Sequence, residues 1–316
     1  MLNKLLQDAR RVAIGGHVRP DGDCVGSCMG LYRYMKDNYP EIITDVYLEP
    51  IPEKFGFIRG TEDIRSEISI DAVYDLFICL DCGDAERLGF SASLFQSALH
   101  TYCIDHHASN CSFADDNYIV PDASSTSELV YGLLEKDKVT KEIAECLYIG
   151  IAHDTGVFQY SCASPATFRA AAELLETGID AASLIDATYY EKSYAQNQVL
   201  GRALLESIVF MDGKCIAAFM RKSQLEFYGV SPKDLDGIVA QLRLTRGVEV
   251  AIFAYETEKD LYKVSLRSKR EVDVSVIAGY FGGGGHVRAA GCTMPGTVHD
   301  VLNNLSRQIE LQFAKE

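Results

Sequence analysis

Apolar residues in the first half of the chain fall into short unbroken runs separated by longer amphipathic stretches. Val12-Ala13-Ile14, Asp45-Val46-Tyr47-Leu48, Leu76-Phe77-Ile78-Cys79-Leu80 and Thr101-Tyr102-Cys103-Ile104 are too short for helices and read as buried strands. Between them the spacing turns helical, most clearly from Cys24 to Tyr34 and from Ser124 to Glu135. Strands buried on both sides and alternating with helices form a mostly parallel sheet with helices on both faces. The first half is therefore predicted to be an α/β domain.

Helical patterns dominate from about Lys141 to Ser207. Ser164-Pro165, the run Phe168 to Leu175 and then Gly178 give one helix its cap, its first-turn proline and its terminating glycine. Lys192 to Glu206 is helical in pattern and marks a junction. Beyond it, Ile208 to Met211 and Cys215 to Phe219 flank Asp212-Gly213, a hairpin signal, and Val248 to Tyr255 is expected to pair with Leu261 to Leu266. Ser231-Pro232 is expected to open a helix running towards Leu244. These patterns divide the chain into a domain over 1–190, a helical linker over 191–207 and a smaller α+β domain over 208–316, its sheet mostly antiparallel. No repeat or low-complexity segment interrupts either half.

Composition narrows the class. A length of 316 residues suits two domains, each able to bury a core. No run approaches the roughly 18 apolar residues that a membrane span requires, and the N-terminus lacks the apolar core and small-residue cleavage site of an export signal. No membrane partner is expected. Ten cysteines are scattered through the chain, several inside apolar runs (Cys79, Cys103, Cys146, Cys215), where a free thiol behaves as a small hydrophobe; a reducing cytoplasm is the expected location. Cys79-Leu80-Asp81-Cys82 has no second cysteine or histidine pair at a zinc-site distance, so its spacing is assigned to chance. The net charge of −15 argues against long duplex nucleic acid, which selects basic surfaces. The charge is unevenly divided: residues 1–190 carry 14 Lys+Arg against 30 Asp+Glu, and residues 191–316 carry 16 against 15.

Three of the strand candidates run directly into acidic or imidazole residues. Val12 to Ile14 leads to His17, Asp21 and Asp23; Leu76 to Leu80 ends on Asp81; Thr101 to Ile104 ends on Asp105-His106-His107. Sites in open α/β sheets form outside the carboxyl ends of the strands, so these side chains are expected to converge. Converging carboxylates repel one another unless protons or a cation intervene. A lone Asp-Gly-Asp is usually a turn and a lone His-His a packed pair; it is the combination that points to metal. Oxygen ligands with a minority of imidazole favour Mn²⁺, with Mg²⁺ as a substitute. The number of ligands suits two ions, with Asp81 placed to bridge them, and two ions acidify a water for in-line attack on phosphorus. Asp84 is assigned to a turn, Asp105 to orienting a neighbouring histidine, and His100 and His299 to surface or packing.

The second half carries Phe281-Gly282-Gly283-Gly284-Gly285-His286-Val287-Arg288-Ala289-Ala290-Gly291. Four consecutive glycines permit positive φ and close approach of backbone N–H groups to an anion. Flexible linkers are Gly/Ser-rich and open-ended, unlike this compact run, and neither a G-x-G-x-x-G nor a G-x-x-x-x-G-K-[ST] order is present. His286, Arg288 and Arg267 add positive charge. An acidic half for metal and a neutral half for a substrate anion would explain the charge division.

His17-Val18-Arg19-Pro20-Asp21-Gly22-Asp23, Asp81, Asp105-His106-His107 and Asp154-Thr155-Gly156 resemble, in order and spacing, the motifs of the DHH phosphoesterase family. Gly283-Gly284-Gly285-His286 with Ala289-Ala290-Gly291 resembles the signature of the DHH-associated C-terminal domain. The resemblance implies that His17, Asp21 and Asp81 hold one Mn²⁺, and that Asp23, Asp81, His106 and Asp154 hold the other. It further implies that His107 lies beside the scissile phosphate, with Asp81 and His107 as catalytic residues. Substrate would be gripped by Arg267, Gly283, Gly284, Gly285 and His286, with Arg288 at a variable position, across an interdomain cleft. The compact length resembles the nanoRNase subgroup, which implies hydrolysis of short oligoribonucleotides, including pApA, to 5′-mononucleotides and of 3′-phosphoadenosine 5′-phosphate (pAp) to AMP. The alternatives are a DHH-type inorganic pyrophosphatase and a catalytically silent nucleotide-binding module. Cys24 stands where serine is common and His153 where a small or polar residue is usual; His153 is expected to modify or compete for the second metal. A homodimer is left open.

Overall fold

The computed structural model describes residues 2–68 and 73–314. It divides into two compact units between Glu191 and Lys192. The first unit contains α1 (Leu2–Leu5), β1 (Arg11–Gly15), α2 (Gly22–Asn38), β2 (Ile43–Tyr47), β3 (Leu76–Leu80), α3 (Ala92–Ser97), β4 (Thr101–Asp105), β5 (Asp116–Ile119), α4 (Thr126–Leu133), α5 (Lys141–Asp154), α6 (Pro165–Glu176) and α7 (Ala181–Ile185). Its five strands are ordered β2-β1-β3-β4-β5, every neighbouring pair parallel. All four predicted strands are present. β5 escaped prediction because its sequence, Asp116-Asn117-Tyr118-Ile119, is half polar and no position in it is fully buried.

Alternation along the strands splits the core into two layers. Val12, Ile14, Val46, Ile78, Leu80 and Ile104 face α2, α4, α5, α6 and α7, whereas Ala13, Tyr47, Phe77, Cys79 and Cys103 face Leu88, Leu94 and Phe95. α2 and α5 approach closely because they meet through glycine: a Cβ on Gly26 would lie 2.5 Å from the Cys146 carbonyl oxygen. That crossing brings the N-terminal end of α2 to the C-terminal end of α5. The strand order reverses direction between β1 and β3, so the crevice beyond their carboxyl ends is the topological switch point at which such sheets bind ligands.

The second unit contains α8 (Tyr194–Leu205), β6 (Ile208–Phe210), β7 (Cys215–Met220), α9 (Lys222–Tyr228), α10 (Ile238–Arg243), β8 (Val250–Glu258), β9 (Leu261–Ser268), α11 (Val274–Tyr280), β10 (Gly284–His286), β11 (Ala289–Pro295) and α12 (Val298–Phe313). Its six strands run β10-β11-β9-β8-β7-β6, antiparallel except between β7 and β8. Cys215, Ala217, Val250, Ile252, Val264 and Leu266 pack with α11 and α12, and Ile216, Ala218, Ala251 and Phe253 pack with α8 and α10. The helix expected as a linker is α8, and its Val199 and Ala203 are buried within this second core, which makes it an integral element of the second unit. The expected helix from Ser231 to Leu244 is broken: a short 3₁₀ turn over Pro232–Leu235 is separated from α10 by Gly237 at φ 83°. A left-handed glycine ends one turn and starts another, which a period count does not register. Among the described residues no helix is long and apolar enough to cross a membrane.

Candidate metal centre

Each strand-end segment delivers its side chains to the crevice by a local device. After β1, Asp21 caps α2: its Oδ1 accepts the N–H groups of Asp23 (3.1 Å) and Cys24 (3.2 Å). This turns His17 inward, 4% exposed, with Nδ1 donating to the Val18 carbonyl at 2.9 Å. Its Nε2 then points at Asp81 Oδ2 (3.4 Å) and Asp21 Oδ1 (3.6 Å). Asp81 follows the last residue of β3 in the left-handed region, φ 59°. A non-glycine residue held there costs about 1–3 kcal/mol, a strain characteristic of functional sites.

Asp23 lies in the first turn of α2 and is fully buried. Its two oxygens accept backbone N–H groups at the start of α4, Thr126 at 2.6 Å and Ser127 at 2.9 Å. The Thr126 hydroxyl donates to Asp81 Oδ1 at 3.2 Å. Ser124, Ser125, Thr126 and Ser127 are all buried; Thr126 and Ser127 meet the site, while Ser124 and Ser125 bond to Glu128 and hold the start of α4. Sequence reasoning read this run only as a helix start. Four small polar residues in succession were the available signal, because most buried polar groups are hydrogen-bonded, although the Ser127 hydroxyl is buried without a partner among the described residues.

His106 and His107 follow β4 and face different groups. His106 Nε2 lies 2.9 Å from Asp154 Oδ2 at the end of α5, 3.7 Å from Asp81 Oδ1 and 4.0 Å from Asp23 Oδ2. His107 Nδ1 donates to Asp105 Oδ1 at 2.7 Å and is 3.7 Å from Asp81 Oδ1. Asp105, completely buried, also accepts the His106 N–H (2.9 Å) and the Asn110 side-chain amide (2.7 Å). Asp105 thus orients His107, as expected of it, and Asn110 joins the set as a residue that the sequence reading had passed over. Burial pushes the Asp105 carboxyl up, but His107 and Asn110 outweigh it and its value is lowered.

The electrostatics of the protein alone are unbalanced. Burial, with Asp81 and Asp154 adding repulsion, holds Asp23 well above the usual carboxylate range. Burial acts to lower the His17 value, yet Asp21 and Asp81 outweigh it and hold it at about 11. Buried acids driven towards protonation and imidazoles driven towards the cation are what a carboxylate cluster does when protons stand in for positive charge. Among the described residues, three groups whose donor atoms lie within 4.8 Å of one another can receive that charge as metal: Asp23, His106 and Asp154; Asp81, His106 and His107; and His17, Cys24 and Asp81. Oxygen and imidazole donors fit a divalent ion, and the hydrogen bonds from Thr126 and Ser127 hold two of the carboxylates in place for it.

Two expectations change. His153 points away from this cluster: its ring packs over Gly22, edge-on to Phe55 (5.3 Å) and Tyr189 (5.4 Å). Its Nε2 donates to Thr188 Oγ1 at 3.1 Å, while that hydroxyl donates to the Leu184 carbonyl. Consecutive residues near a helix C-terminus project about 100° apart, so only Asp154 reaches the centre. The glycine run in the second unit is also not a free loop. Gly284, Gly285 and His286 form edge strand β10, paired with Gly291, Ala290 and Ala289 of β11. A Cβ on Gly283 would lie 2.2 Å from the Gly291 carbonyl oxygen and one on Gly285 2.5 Å from that of Ala289, so both glycines serve strand pairing. Gly284 faces open space.

Register places His286, Ala289 and Arg267 side by side on one face of this sheet, opposite the face packed on α11 and α12. Gly284 and Gly291 share that face and leave a bare floor beside the row of imidazole, Ala289 and guanidinium. Arg288, expected to add charge there, is committed elsewhere: its guanidinium donates to the carbonyls of Val272 (2.8 Å) and Arg270. The same 270–272 turn is held from its amide side by the Glu249 carboxylate, which accepts N–H groups of Arg270, Glu271 and Val272 at 2.9, 2.7 and 3.2 Å.

A parallel sheet with carboxylates and imidazoles gathered at its switch point, joined to a mixed sheet with a glycine-bearing edge, defines a metal-dependent phosphoesterase. Residues 11–151 match the DHH family N-terminal domain and residues 212–315 match the DHHA1 domain; the chain belongs to the DHH family. It is 31% identical over 290 residues to the bifunctional oligoribonuclease and PAP phosphatase NrnA of Thermus thermophilus, covering 90% of this chain and 84% of that protein. The NrnA of Bacillus subtilis is 26% identical over 284 residues, covering 88% and 87%. A crystal structure of an exopolyphosphatase-related protein from Bacteroides fragilis superposes with a TM-score of 0.90 at 27% identity, covering 98% of this chain and 94% of that one.

Proposed function

We propose that this protein is a Mn²⁺-dependent hydrolase of short oligoribonucleotides, including pApA, releasing 5′-mononucleotides, and of pAp, releasing AMP. The observation that carries the reading is the convergence of His17, Asp23, Asp81, His106 and Asp154 at one switch point, with Asp81 within 3.7 Å of both His17 and His106. Two ions are proposed, one on His17, Asp21 and Asp81 and one on Asp23, Asp81, His106 and Asp154. When bound, such ions polarise a phosphoryl oxygen and acidify a water for attack. The protein's own residues hold that charge in place: Thr126 and Ser127 fix Asp23, Thr126 fixes Asp81, and Asp105 fixes His107 with one ring nitrogen free for a phosphoryl oxygen. Arg267 and His286 bind a second phosphate of the substrate over the floor of Gly284 and Gly291. The similarity to two NrnA proteins over most of both chains supports this substrate class, and the DHHA1 match favours it over pyrophosphate.

The test is a panel with Mn²⁺: pAp, pApA, 5′-phosphorylated RNA of two to ten nucleotides, a long duplex, and pyrophosphate. Phosphate or mononucleotide release from pAp and the short oligomers is expected. Preferential cleavage of pyrophosphate would replace the proposal with the pyrophosphatase reading, and tight pAp binding without release would replace it with a binding module.

A further inference from the structure

Cys24 lies outside the expected ligand set, yet the fold brings its sulfur to the metal centre. It occupies the first turn of α2, after the Asp21 cap, and is completely buried. Its Sγ, a His17 ring nitrogen and an Asp81 oxygen form one of the three donor groups, all within 4.8 Å of one another. His17 and Asp81 are themselves 4% and 2% exposed, so three different donor types lie together in the protein interior. The thiol has no strong partner: it donates weakly to the His17 carbonyl at 3.9 Å and abuts the Cys28 thiol. Space for the sulfur is provided by Gly16, where a Cβ would lie only 2.3 Å from Cys24 Sγ.

We propose that Cys24 is a ligand in the His17–Asp81 half of the centre, giving that half a preference for thiophilic ions such as Zn²⁺, Co²⁺ or Fe²⁺ over Mn²⁺. Sulfur selects softer ions than carboxylate and imidazole alone. An Sγ–metal bond forms as the Sγ–H proton passes to solvent, with no change of oxidation state. The inference rests on the metal-centre reading above. It also gives the cluster of thiols around β1 and β3 a consequence: one of them, Cys24, reaches the ligand set, whereas Cys28 stands behind it against Gly16.

Metal-free full-length protein titrated with Co²⁺ separates the two claims, with binding followed by equilibrium dialysis and ligation by near-ultraviolet absorption. Wild type is expected to bind Co²⁺ and develop a sulfur-to-cobalt charge-transfer band that Cys24→Ser loses and Cys28→Ser retains. In competition, Cys24→Ser is expected to weaken Zn²⁺ by on the order of tenfold or more while leaving Mn²⁺ nearly unchanged, since even residues outside the ligand set are worth about 10–100-fold in affinity. Bound Co²⁺ without the band in wild type, or a band that persists in Cys24→Ser, would overturn the role of Cys24 and leave the metal centre standing. Absence of any Co²⁺ binding would overturn both. If Cys24→Ser fails to fold, Cys24→Ala removes the same sulfur and is read in the same way, and a wild-type protein that binds Co²⁺ without the band overturns the role of Cys24 in either case.

Discussion

Replacing Asp105 with asparagine tests whether His107 must be held by a charge. The native carboxylate accepts His107 Nδ1–H at 2.7 Å and the His106 N–H at 2.9 Å through one oxygen, and the Asn110 amide at 2.7 Å through the other. Asn110 cannot turn to suit a new partner, because its amide nitrogen also donates to the Cys82 carbonyl (2.9 Å) and its oxygen accepts from Ser112 N–H (2.7 Å). In Asp105→Asn the retained oxygen still faces His107, but the new NH₂ meets the Asn110 NH₂. A buried donor left without an acceptor costs about 1–3 kcal/mol, which is the expected loss of stability in a urea titration. Charge-assisted hydrogen bonds are about twice as strong as neutral ones, so the hold on His107 weakens by about 1 kcal/mol. If His107 contacts the phosphoryl group only in the transition state, kcat on pAp falls about five- to tenfold with KM little changed. A folded Asp105→Asn protein with kcat within about twofold of wild type would refute the placement of His107 in catalysis.

Asp81→Ala removes the group shared by His17 and His106 and is expected to abolish turnover and lower the Mn²⁺ stoichiometry measured by equilibrium dialysis; unchanged stoichiometry would count against a bridging role. Arg267→Ala is expected to raise KM for pAp with little effect on the urea midpoint, whereas Arg288→Ala, which frees the carbonyls of Arg270 and Val272, is expected to lower the midpoint first; the opposite pattern would exchange their roles. Burial alone would raise the Glu249 carboxyl, but the N–H groups of Arg270, Val272 and Glu271 outweigh it and lower its value, so its stabilisation is complete above an unfolded pKa of about 4.3 and is lost as pH falls through the folded value. Glu249→Gln is therefore expected to destabilise the second domain at pH 7 and to flatten the decline of its stability in acid, as followed by circular dichroism.

Strands buried on both faces were legible because hydrophobicity, length and the acidic or imidazole residues following them are all local features. β5 was not, since a half-polar edge strand carries no such pattern and is held mainly by pairing to β4. The convergence of His17, Asp81 and His106 followed from their positions just after predicted parallel strands, whereas the dependence of Asp23 on Thr126 and Ser127 spans about a hundred residues and exists only after α2 and α4 pack. His153 misled for a related reason: adjacency to Asp154 in sequence means divergence on a helix.

The glycine run shows how one local pattern can satisfy two demands at once. Its composition pointed to an anion, but two of its members are glycine because β10 lies too close to β11 for any Cβ at positions 283 and 285. Pairing in that register then sets Gly284 opposite Gly291 and His286 opposite Ala289, and the next strand brings Arg267 alongside. The proposed anion-binding face is thus a product of register, and a one-residue slip of β10 would turn His286 towards the core and away from Arg267. The bare backbone needed for close strand pairing is therefore also what fixes the histidine in line with Arg267, as the proposed phosphate grip requires.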